Sequence, residues 1–396
     1  MNSFTDELNR RLASLREQNL FRELRRVDSA QGPRIQIGGQ SFLNFSSNDY
    51  LGLANHPALK EAAIKSVEKF GAGTGASRLV SGSLAPFHEL EEALADFKKT
   101  EAALTFSTGY AAAVGTITAL MGKEDVIILD KLVHACIVDA AKLSGAKLRI
   151  FDHNDLNDLA EKLQWATSDP QHSSPSSRHI LIVTESVFSM DGDTAPLREI
   201  VALKEKFGAW LMVDEAHATG ILGENGRGLA EALGVSSQVE IQMSTLGKAL
   251  GASGGYICGS RALIDYLVNR ARSFIFSTAP VPAAAAAATA ALKLVQSPEG
   301  DAKRTALSTH VAALNLKLKT QNSKFQSAIL PLILGDEPLA LAAAAKLRTQ
   351  NIFVPAIRYP TVARGAARLR ITLTAKHSAA HLDELVTALA QIKIQN

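Results

Sequence analysis

Cysteine is scarce in this chain of 396 residues, which has two, Cys136 and Cys258. Two thiols are too few for a disulfide framework or a four-cysteine zinc site, so both are excluded. Long apolar runs are also missing: no run of about 18 apolar residues occurs, and residues 1–11 have no apolar signal core. We therefore expect a cytoplasmic protein that does not enter a membrane.

A charge excess of either sign is also absent. The chain has 42 Lys and Arg against 39 Asp and Glu, a net charge of +3, and no basic block. Nucleic acid is therefore not an expected partner, whereas a small anionic ligand is compatible with this balance.

The chain alternates between short, continuously apolar runs and amphipathic segments. This pattern predicts an α/β fold with a mostly parallel sheet covered by helices on both faces. We expect three parts: residues 1–55, with an amphipathic helix over 4–26; a large domain over 56–285; and a smaller α+β domain over 286–396. The predicted strands of the large domain are 102–106, 126–129, 148–151, 180–183, 210–213, 241–243 and 256–258.

One lysine lies in an unusual setting. The segment STLGKALGASGG, residues 244–255, follows an apolar run and places Lys248 among glycine, alanine and serine. Small neighbours let a planar ligand approach the backbone, and a desolvated lysine amine can form a Schiff base. A tight turn with a surface lysine explains the segment equally well when it is considered alone.

Several polar residues follow the predicted strands, where α/β sheets bind their ligands. They are Glu185, Ser189, Asp214, His217 and Lys248. The segment STGY, residues 107–110, joins a strand to a helix and predicts free N–H groups suited to a phosphate. A lysine, a strand-end aspartate and a phosphate site together favour pyridoxal phosphate (PLP) as the cofactor.

Other enzyme classes fail on missing residues. The glycines of residues 71–82 follow a predicted helix, whereas a dinucleotide site requires a strand there. The sequence DEAH at 214–217 is typical of an ATPase, but both Gly-Lys pairs, 122–123 and 247–248, lack the following Ser or Thr. HExxH is absent, so a zinc protease is not supported, and Thr-Glu-Ser at 184–186 does not make a nucleophile elbow, which needs GxSxG. A non-catalytic protein of this fold remains the alternative from another class.

Seven motifs along nearly the whole chain resemble the α-oxoamine synthase family of fold-type I PLP enzymes. They are NFSSNDYLGL at 44–53, GTGASRLVSG at 73–82, HNDL at 153–156, TESVFSMDGD at 184–193, MVDEAHATGILGENGRG at 212–228, STLGKALGASGG at 244–255 and RLRITLTAKH at 368–377. The resemblance implies a seven-stranded sheet and a smaller C-terminal α+β domain. It also implies a decarboxylative condensation of an amino acid with an acyl thioester of coenzyme A or an acyl carrier protein.

The resemblance also implies which residues hold the cofactor. It implies that Lys248 forms the covalent link to the cofactor and that Asp214 contacts the pyridinium nitrogen. His217 is implied to donate a hydrogen bond to the ring hydroxyl. His134 matches the histidine stacked on the pyridine face, and these four form the expected catalytic group. The further cofactor contacts that it implies are Gly109, Tyr110, Glu185, Ser189 and Thr245, with Ser277 and Thr278 lent by the second subunit of a homodimer.

Substrate contacts follow from the same resemblance. Arg370 matches the arginine that grips the amino-acid carboxylate, a bidentate task suited to guanidinium. Arg22, Asn48 and Thr361 match substrate-side positions, as His134 does. The segment AIRYPTV at 356–362 favours the family members that use L-alanine and a pimeloyl thioester, although Tyr359 stands where many of them have proline. Members that use glycine with other acyl thioesters share most of the motifs.

Overall fold

A computed structural model describes residues 3–168, 178–318 and 326–392. The segment over 168–178 is rich in serine and proline, which predicts an exposed loop, and it falls almost wholly outside the described residues. The chain divides into two compact units. The larger comprises Leu51–Ser189 and Asp193–Thr305, and the smaller comprises Met1–Tyr50, Met190–Gly192 and Ala306–Asn396. The larger unit thus continues past the predicted boundary at residue 286.

A seven-stranded sheet forms the centre of the larger unit, in the order β3-β9-β8-β7-β6-β4-β5. Neighbouring strands from β8 to β5 are parallel, and β9 is antiparallel to both β8 and β3. The predicted mostly parallel sheet is confirmed. Its strands are β3 Ala102–Phe106, β4 Val126–Asp130, β5 Lys147–Phe151, β6 Ile180–Glu185, β7 Trp210–Asp214, β8 Ile241–Thr245 and β9 Gly255–Gly259.

Helices cover this sheet, which explains its continuously apolar strands. Every residue of β3, β4, β6 and β9 is buried, as expected for strands packed on both faces. Four helices and the strands share one apolar core: α4 Gly109–Leu120, α5 Ala135–Ser144, α9 Arg261–Arg270 and α10 Arg272–Ile275. The other helices of this unit are α2 Pro57–Phe70, α3 Ala85–Lys98, α6 Leu156–Ser168, α7 Leu197–Phe207, α8 Leu229–Ala232 and α11 Pro282–Val295.

The smaller unit has two three-stranded sheets, β1-β2-β11 and β10-β13-β12. Its strands are β1 Arg34–Ile37, β2 Gln40–Asn44, β10 Ile329–Gly335, β11 Ile352–Phe353, β12 Ala356–Ile357 and β13 Ala367–Thr372. Its helices are α1 Phe4–Glu17, α13 Glu337–Thr349 and α14 Ala379–Ala390. A further helix, α12 Pro298–Leu318, begins in the larger unit and continues into this one.

Two predicted elements of the smaller unit are wrong in length. The helix expected over 4–26 ends at Glu17, because Asn19 adopts a left-handed conformation and Arg358 hydrogen-bonds the carbonyl oxygens of Asn19 and Phe21. These contacts fix an extended segment after the helix. The apolar segment over 352–356 predicts a single strand, whereas the structure has two short strands there, β11 and β12, in different sheets.

None of the helices in the described part of the chain is long and apolar enough to cross a membrane.

Candidate active site

A cavity of about 180 Å³ lies at the carboxyl-terminal edge of the seven-stranded sheet. Glu185, Asp214 and Thr245 are the last residues of β6, β7 and β8, so the strand ends themselves carry polar groups to this edge. The cavity is lined by Gly109, Tyr110, His134, Cys136, Glu185, Asp214, Ala216, His217, Met243, Thr245 and Lys248. Eight of the predicted cofactor residues therefore meet at one place.

Lys248 projects from a tight turn after β8. The Lys248 carbonyl accepts from the Gly251 N–H at 2.8 Å, and Leu246 pairs with Gly254 and Ala252. Gly251 has φ +62°, and a Cβ there would lie 2.4 Å from a backbone nitrogen, so only glycine fits. The turn holds the half-buried Lys248 with its Nζ 2.9 Å from Nε2 of the buried His217.

Two buried carboxyl groups face the same cavity. Glu185 and Asp214 are paired residues of the parallel strands β6 and β7, and both are buried. Burial raises the pKa of both groups, and the Asp214 charge raises the pKa of Glu185 further; Lys248 opposes both shifts. The charge of Lys248 therefore does not fully offset the burial of this pair, and a protonated pyridine nitrogen would add positive charge where it is needed.

His134 presents one defined ring nitrogen to the cavity. It is the N-cap of α5, and its Nδ1 accepts the Cys136 N–H at 3.2 Å. Nδ1 therefore carries no proton in the neutral ring, which places the proton on Nε2. Burial lowers the pKa of His134, which favours that neutral form. The backbone N–H of His134 donates to Oε1 of Glu185, which ties it to the carboxyl pair.

The start of α4 forms one wall of the cavity. Gly109 and Tyr110 occupy the first turn of the helix, whose backbone N–H groups have no partner within the helix. Gly255 of β9 passes so close that a Cβ there would lie 2.6 Å from the Gly109 nitrogen, so this crossing requires glycine. The Tyr110 hydroxyl donates to Asp139 at 2.8 Å, and Thr245 donates to the Gly254 carbonyl at 2.9 Å. An anion has a suitable site at this helix start.

Three predicted cofactor residues lie elsewhere in the larger unit. Ser189 is buried in the loop after β6, where its backbone N–H bonds to the Glu185 carboxylate. Ser277 and Thr278 line a narrow cleft with Arg78 instead of the Lys248 cavity of the same chain. Thr278 also forms a bridge with Ser77.

The predicted substrate residue Arg370 lies in the smaller unit. Its side chain is buried, and three neutral oxygens orient it: Asn48 Oδ1 at 3.1 Å, Thr372 Oγ1 at 3.2 Å and the Tyr50 hydroxyl at 3.5 Å. The Tyr50 hydroxyl also donates to Asn48 at 3.3 Å. Asn48 and Arg370, which were predicted together, are therefore directly bonded.

Arg22 and Thr361 meet the same short loop of the smaller unit. The exposed Arg22 guanidinium donates to the Tyr359 carbonyl at 3.1 Å, and the Thr361 N–H donates to the Arg358 carbonyl at 3.0 Å. The N-terminal segment and the loop after β12 thus form one surface that carries both predicted residues.

Three residues that line the cavity were not predicted: Cys136, Ala216 and Met243. Cys136 stands two positions after His134, and its thiol lies 3.0 Å from the His134 Nδ1. Burial raises the pKa of this thiol to about 12, so it remains protonated. Small or apolar residue types such as these carry no sequence signal that separates a cavity wall from the core.

A larger groove, of about 460 Å³, lies at the opposite edge of the sheet. Trp210 and Ile241, the first residues of β7 and β8, line it. Ligands of such sheets bind at the carboxyl ends of the strands, where the polar groups converge, so the smaller cavity is the candidate active site.

The fold and the site define a PLP-dependent transferase of fold type I: a lysine, a carboxylate and a helix start meet at the carboxyl edge of a mostly parallel seven-stranded sheet. The chain belongs to the aminotransferase class I and II family, whose model matches residues 40–389.

Individual relatives are more specific than the family match. The 8-amino-7-oxononanoate synthase of Geotalea daltonii is 50% identical over 99% of this chain and 98% of its own. The serine palmitoyltransferase of S. paucimobilis, solved with a bound PLP–myriocin aldimine, is 30% identical; the match has a TM-score of 0.89 and covers 97% of this chain and 96% of that one. The 8-amino-7-oxononanoate synthase of Francisella tularensis is 31% identical; its match has a TM-score of 0.74 and covers 89% and 96%.

Proposed function

We propose that this chain is a PLP-dependent acyltransferase of biotin biosynthesis. It condenses L-alanine with a pimeloyl thioester and releases 8-amino-7-oxononanoate, carbon dioxide and the free thiol. The observation that carries this proposal is the 50% identity, over nearly the full length of both chains, to a relative that bears the name of this activity. The Lys248 cavity supplies the groups that the chemistry needs.

The residues of the larger unit suit PLP as cofactor. Lys248 would hold it covalently, the first turn of α4 its phosphate, and Asp214 its ring nitrogen. His217 would contact the ring hydroxyl and His134 the ring face. The charge of the site supports this arrangement. Burial raises the pKa of Asp214 because a buried carboxylate is costly in free energy, and a cationic ring nitrogen beside it would offset that cost.

The chain's own residues then carry the proton transfers. Once the amine of alanine displaces Lys248 from the cofactor, the freed Lys248 Nζ, close to His217, would remove the Cα proton of alanine and later return a proton to the same carbon. When bound, the cofactor withdraws the electron pair left on Cα. The new bond joins Cα to the thioester carbonyl carbon, the thiolate leaves and takes up a proton, and the carboxylate departs as carbon dioxide. Nε2–H of His134 is a neutral donor at this site.

We assign the amino-acid carboxylate to Arg370. Its guanidinium is buried and oriented by Asn48 and Thr372, so little side-chain freedom remains to be lost on binding. The surface of Arg22 and Thr361 is assigned to the acyl chain, whose far carboxylate requires a cation.

We also propose that the protein is a cytoplasmic homodimer. Ser277 and Thr278 lie in a cleft apart from the Lys248 cavity of their own chain, which suits contacts lent to a second copy. Both cysteines are free and buried, as is common in a reducing compartment.

A second candidate is a sister activity with another amino acid and acyl chain. The TM-score is higher for the serine palmitoyltransferase structure, 0.89 against 0.74. The identities are nearly equal, 30% and 31%, so this difference does not separate the two substrates. The 50% identical relative favours alanine and the pimeloyl group.

A substrate matrix tests the proposal. Glycine, alanine and serine are each assayed with acetyl, succinyl, pimeloyl and palmitoyl thioesters, the pimeloyl group on both coenzyme A and acyl carrier protein. We expect the highest kcat/KM for alanine with pimeloyl. A higher value for glycine with acetyl or succinyl, or for serine with palmitoyl, rejects it.

Arg22 has a matched control nearby. Arg22→Ala should raise the KM for the pimeloyl thioester, whereas Arg25→Ala, at an exposed neighbouring position, should leave it unchanged. If both variants keep the wild-type KM, the assignment of Arg22 is wrong and the activity stands.

A further inference from the structure

His153 joins two loops that lead into the active site. It belongs to the HNDL segment after β5, to which no role has been given. Its Nδ1 lies 2.9 Å from Oδ1 of Asp130, and its Nε2 lies 2.7 Å from Oδ2 of Asp193. A carboxylate only accepts hydrogen bonds, so both ring nitrogens must donate and the ring is an imidazolium. The imidazolium is thus a charged cross-link between the segments after β4 and β6.

Asp130, at one end of this cross-link, holds the backbone turn that leads to His134. Asp130 ends β4, and its side chain is fully buried. One oxygen accepts from His153 and from the Leu132 N–H at 2.8 Å, and the other accepts from the Asn154 N–H at 2.9 Å. These bonds fix the turn that connects β4 to His134 at the start of α5.

Asp193, at the other end of the cross-link, is bonded across the loop that follows β6. The Asn154 amide donates to Asp193 at 3.0 Å, and the Asp193 carbonyl accepts from Phe188 at 3.0 Å. The His153 ring meets the Phe188 ring edge to face at 4.3 Å. Both loops then converge on Glu185, which accepts the backbone N–H groups of His134 and Ser189.

We propose that His153 is a positioning residue for His134: its ring, held between Asp130 and Asp193, sets where the His134 ring stands in the cofactor cavity. Burial lowers the pKa of His153, but hydrogen bonds to the two carboxylates outweigh burial and raise this pKa to about 10. The cross-link therefore keeps its charge at neutral pH. The inference rests on the role proposed above for His134.

Two variants and one control test this role. His153→Phe keeps a planar aromatic ring, slightly larger than imidazole, and removes both donors, and Asp193→Asn, at a half-buried position, weakens one bond without a change of shape. The control is His179→Phe, which changes an exposed histidine stacked on Trp210 at 4.3 Å, beside the opposite edge of the sheet.

The first measurement is a double-mutant cycle on kcat. We expect His153→Phe to lower kcat about 10-fold to 100-fold and Asp193→Asn to lower it less, with similar KM values. In a His134→Ala background His153→Phe should lower kcat less than twofold, because its effect runs through His134. Equal losses in both backgrounds would show a merely structural role and overturn the proposal.

The second measurement does not use activity. Titration with PLP, followed by visible absorbance, should give a weaker Kd and a displaced absorption maximum for His153→Phe in the same direction as for His134→Ala. His179→Phe should match the wild type. NMR at pH 8 should show two ring N–H protons for His153. The proposal is rejected if the absorption spectrum of His153→Phe equals that of the wild type, or if His153 shows only one ring N–H proton. Neither result depends on which substrates the protein uses.

Discussion

The Lys248 amine lies 2.9 Å from Nε2 of His217, so the two side chains share a hydrogen bond at the carboxyl ends of neighbouring strands. A histidine at this distance holds the amine at one position in the cavity. That position decides where a carbonyl compound can react with the chain.

The first prediction concerns the residue that PLP modifies. We expect the PLP-loaded protein to be yellow, and borohydride to fix the cofactor to Lys248, since its amine is the one that lines the cavity. Peptide mapping by mass spectrometry locates the label. Lys248→Arg should lose the label and turnover, whereas Lys123→Arg, at an exposed position, should keep both. A label on another lysine refutes the assignment.

The second prediction concerns Asp214. Asp214→Asn should weaken PLP binding and lower turnover about 100-fold or more, because an amide cannot hold the proton of a pyridinium nitrogen. The apoprotein should keep its fold, since the amide preserves shape. Calorimetry of the apoprotein and PLP titration check the two effects. Turnover close to wild type removes Asp214 from this role.

The third prediction gives the pH dependence of apoprotein stability. The pKa of Glu185 is raised from 4.5 to about 8, so between these values the folded chain binds more protons than the unfolded chain. The contribution of this group to stability therefore falls as pH rises through that window. Glu185→Gln should flatten this part of the pH profile in urea unfolding. Glu205→Gln, an exposed change in α7, should leave it unaltered.

The fourth prediction concerns acid sensitivity of the smaller unit. His377 is buried; its Nδ1 accepts the Thr374 N–H at 3.0 Å, and its Nε2 lies 3.1 Å from the Asn44 carbonyl. Burial lowers the pKa of His377 from 6.5 to about 4, so the unfolded chain binds the extra proton in this window. Stability should fall by about 3 kcal/mol as pH drops from 6.5 to 4.

Unfolding by urea at several pH values checks this loss. His377→Gln, which keeps a donor and an acceptor, should remove most of it. His88→Gln, at an exposed position, should retain it. An unchanged acid profile in His377→Gln would mean that another group causes the acid sensitivity.

The fifth prediction tests the homodimer by complementation. Lys248→Ala and the double variant Ser277→Ala, Thr278→Val should each be inactive or nearly so. If each site uses Ser277 and Thr278 of the other copy, mixing the two should restore about a quarter of the wild-type activity through hybrid dimers. Lys248→Ala mixed with Asp214→Asn should restore no activity, since both residues line the cavity of one chain and each hybrid then has two defective sites. No recovery in the first mixture, once hybrid dimers have formed, would place Ser277 and Thr278 in the site of their own chain.

The sequence alone was enough to predict the sheet, and it indicated several residues that meet in the cavity at its carboxyl edge. Apolar strands buried on both faces give a strong local pattern, and Asp214 and Lys248 follow such strands directly. The end of α1 was not predictable in this way, because it depends on Arg358, which is more than 300 positions away in the sequence. A local pattern carries no information on such a contact.

The cross-link through His153 shows a second limit. The segment HNDL stood out, but Asp130 and Asp193 lie 23 and 40 positions from His153. Only the pairing order of β4, β5 and β6 brings the three side chains together. Cys136 escaped prediction for a simpler reason, because nothing in its own type distinguishes a cavity thiol from a core thiol.

The position of β9 in the sheet affects when the cofactor cavity can form during synthesis. β3 leads into Gly109 and β8 leads into Lys248, and β9 lies between these two strands in the sheet. A ribosome therefore releases the phosphate segment at 107–110 well before residues 255–259, whereas Lys248 precedes these residues by only seven positions. Until β9 docks between β3 and β8, the two segments are not joined in the sheet, so we expect PLP to bind after the sheet closes.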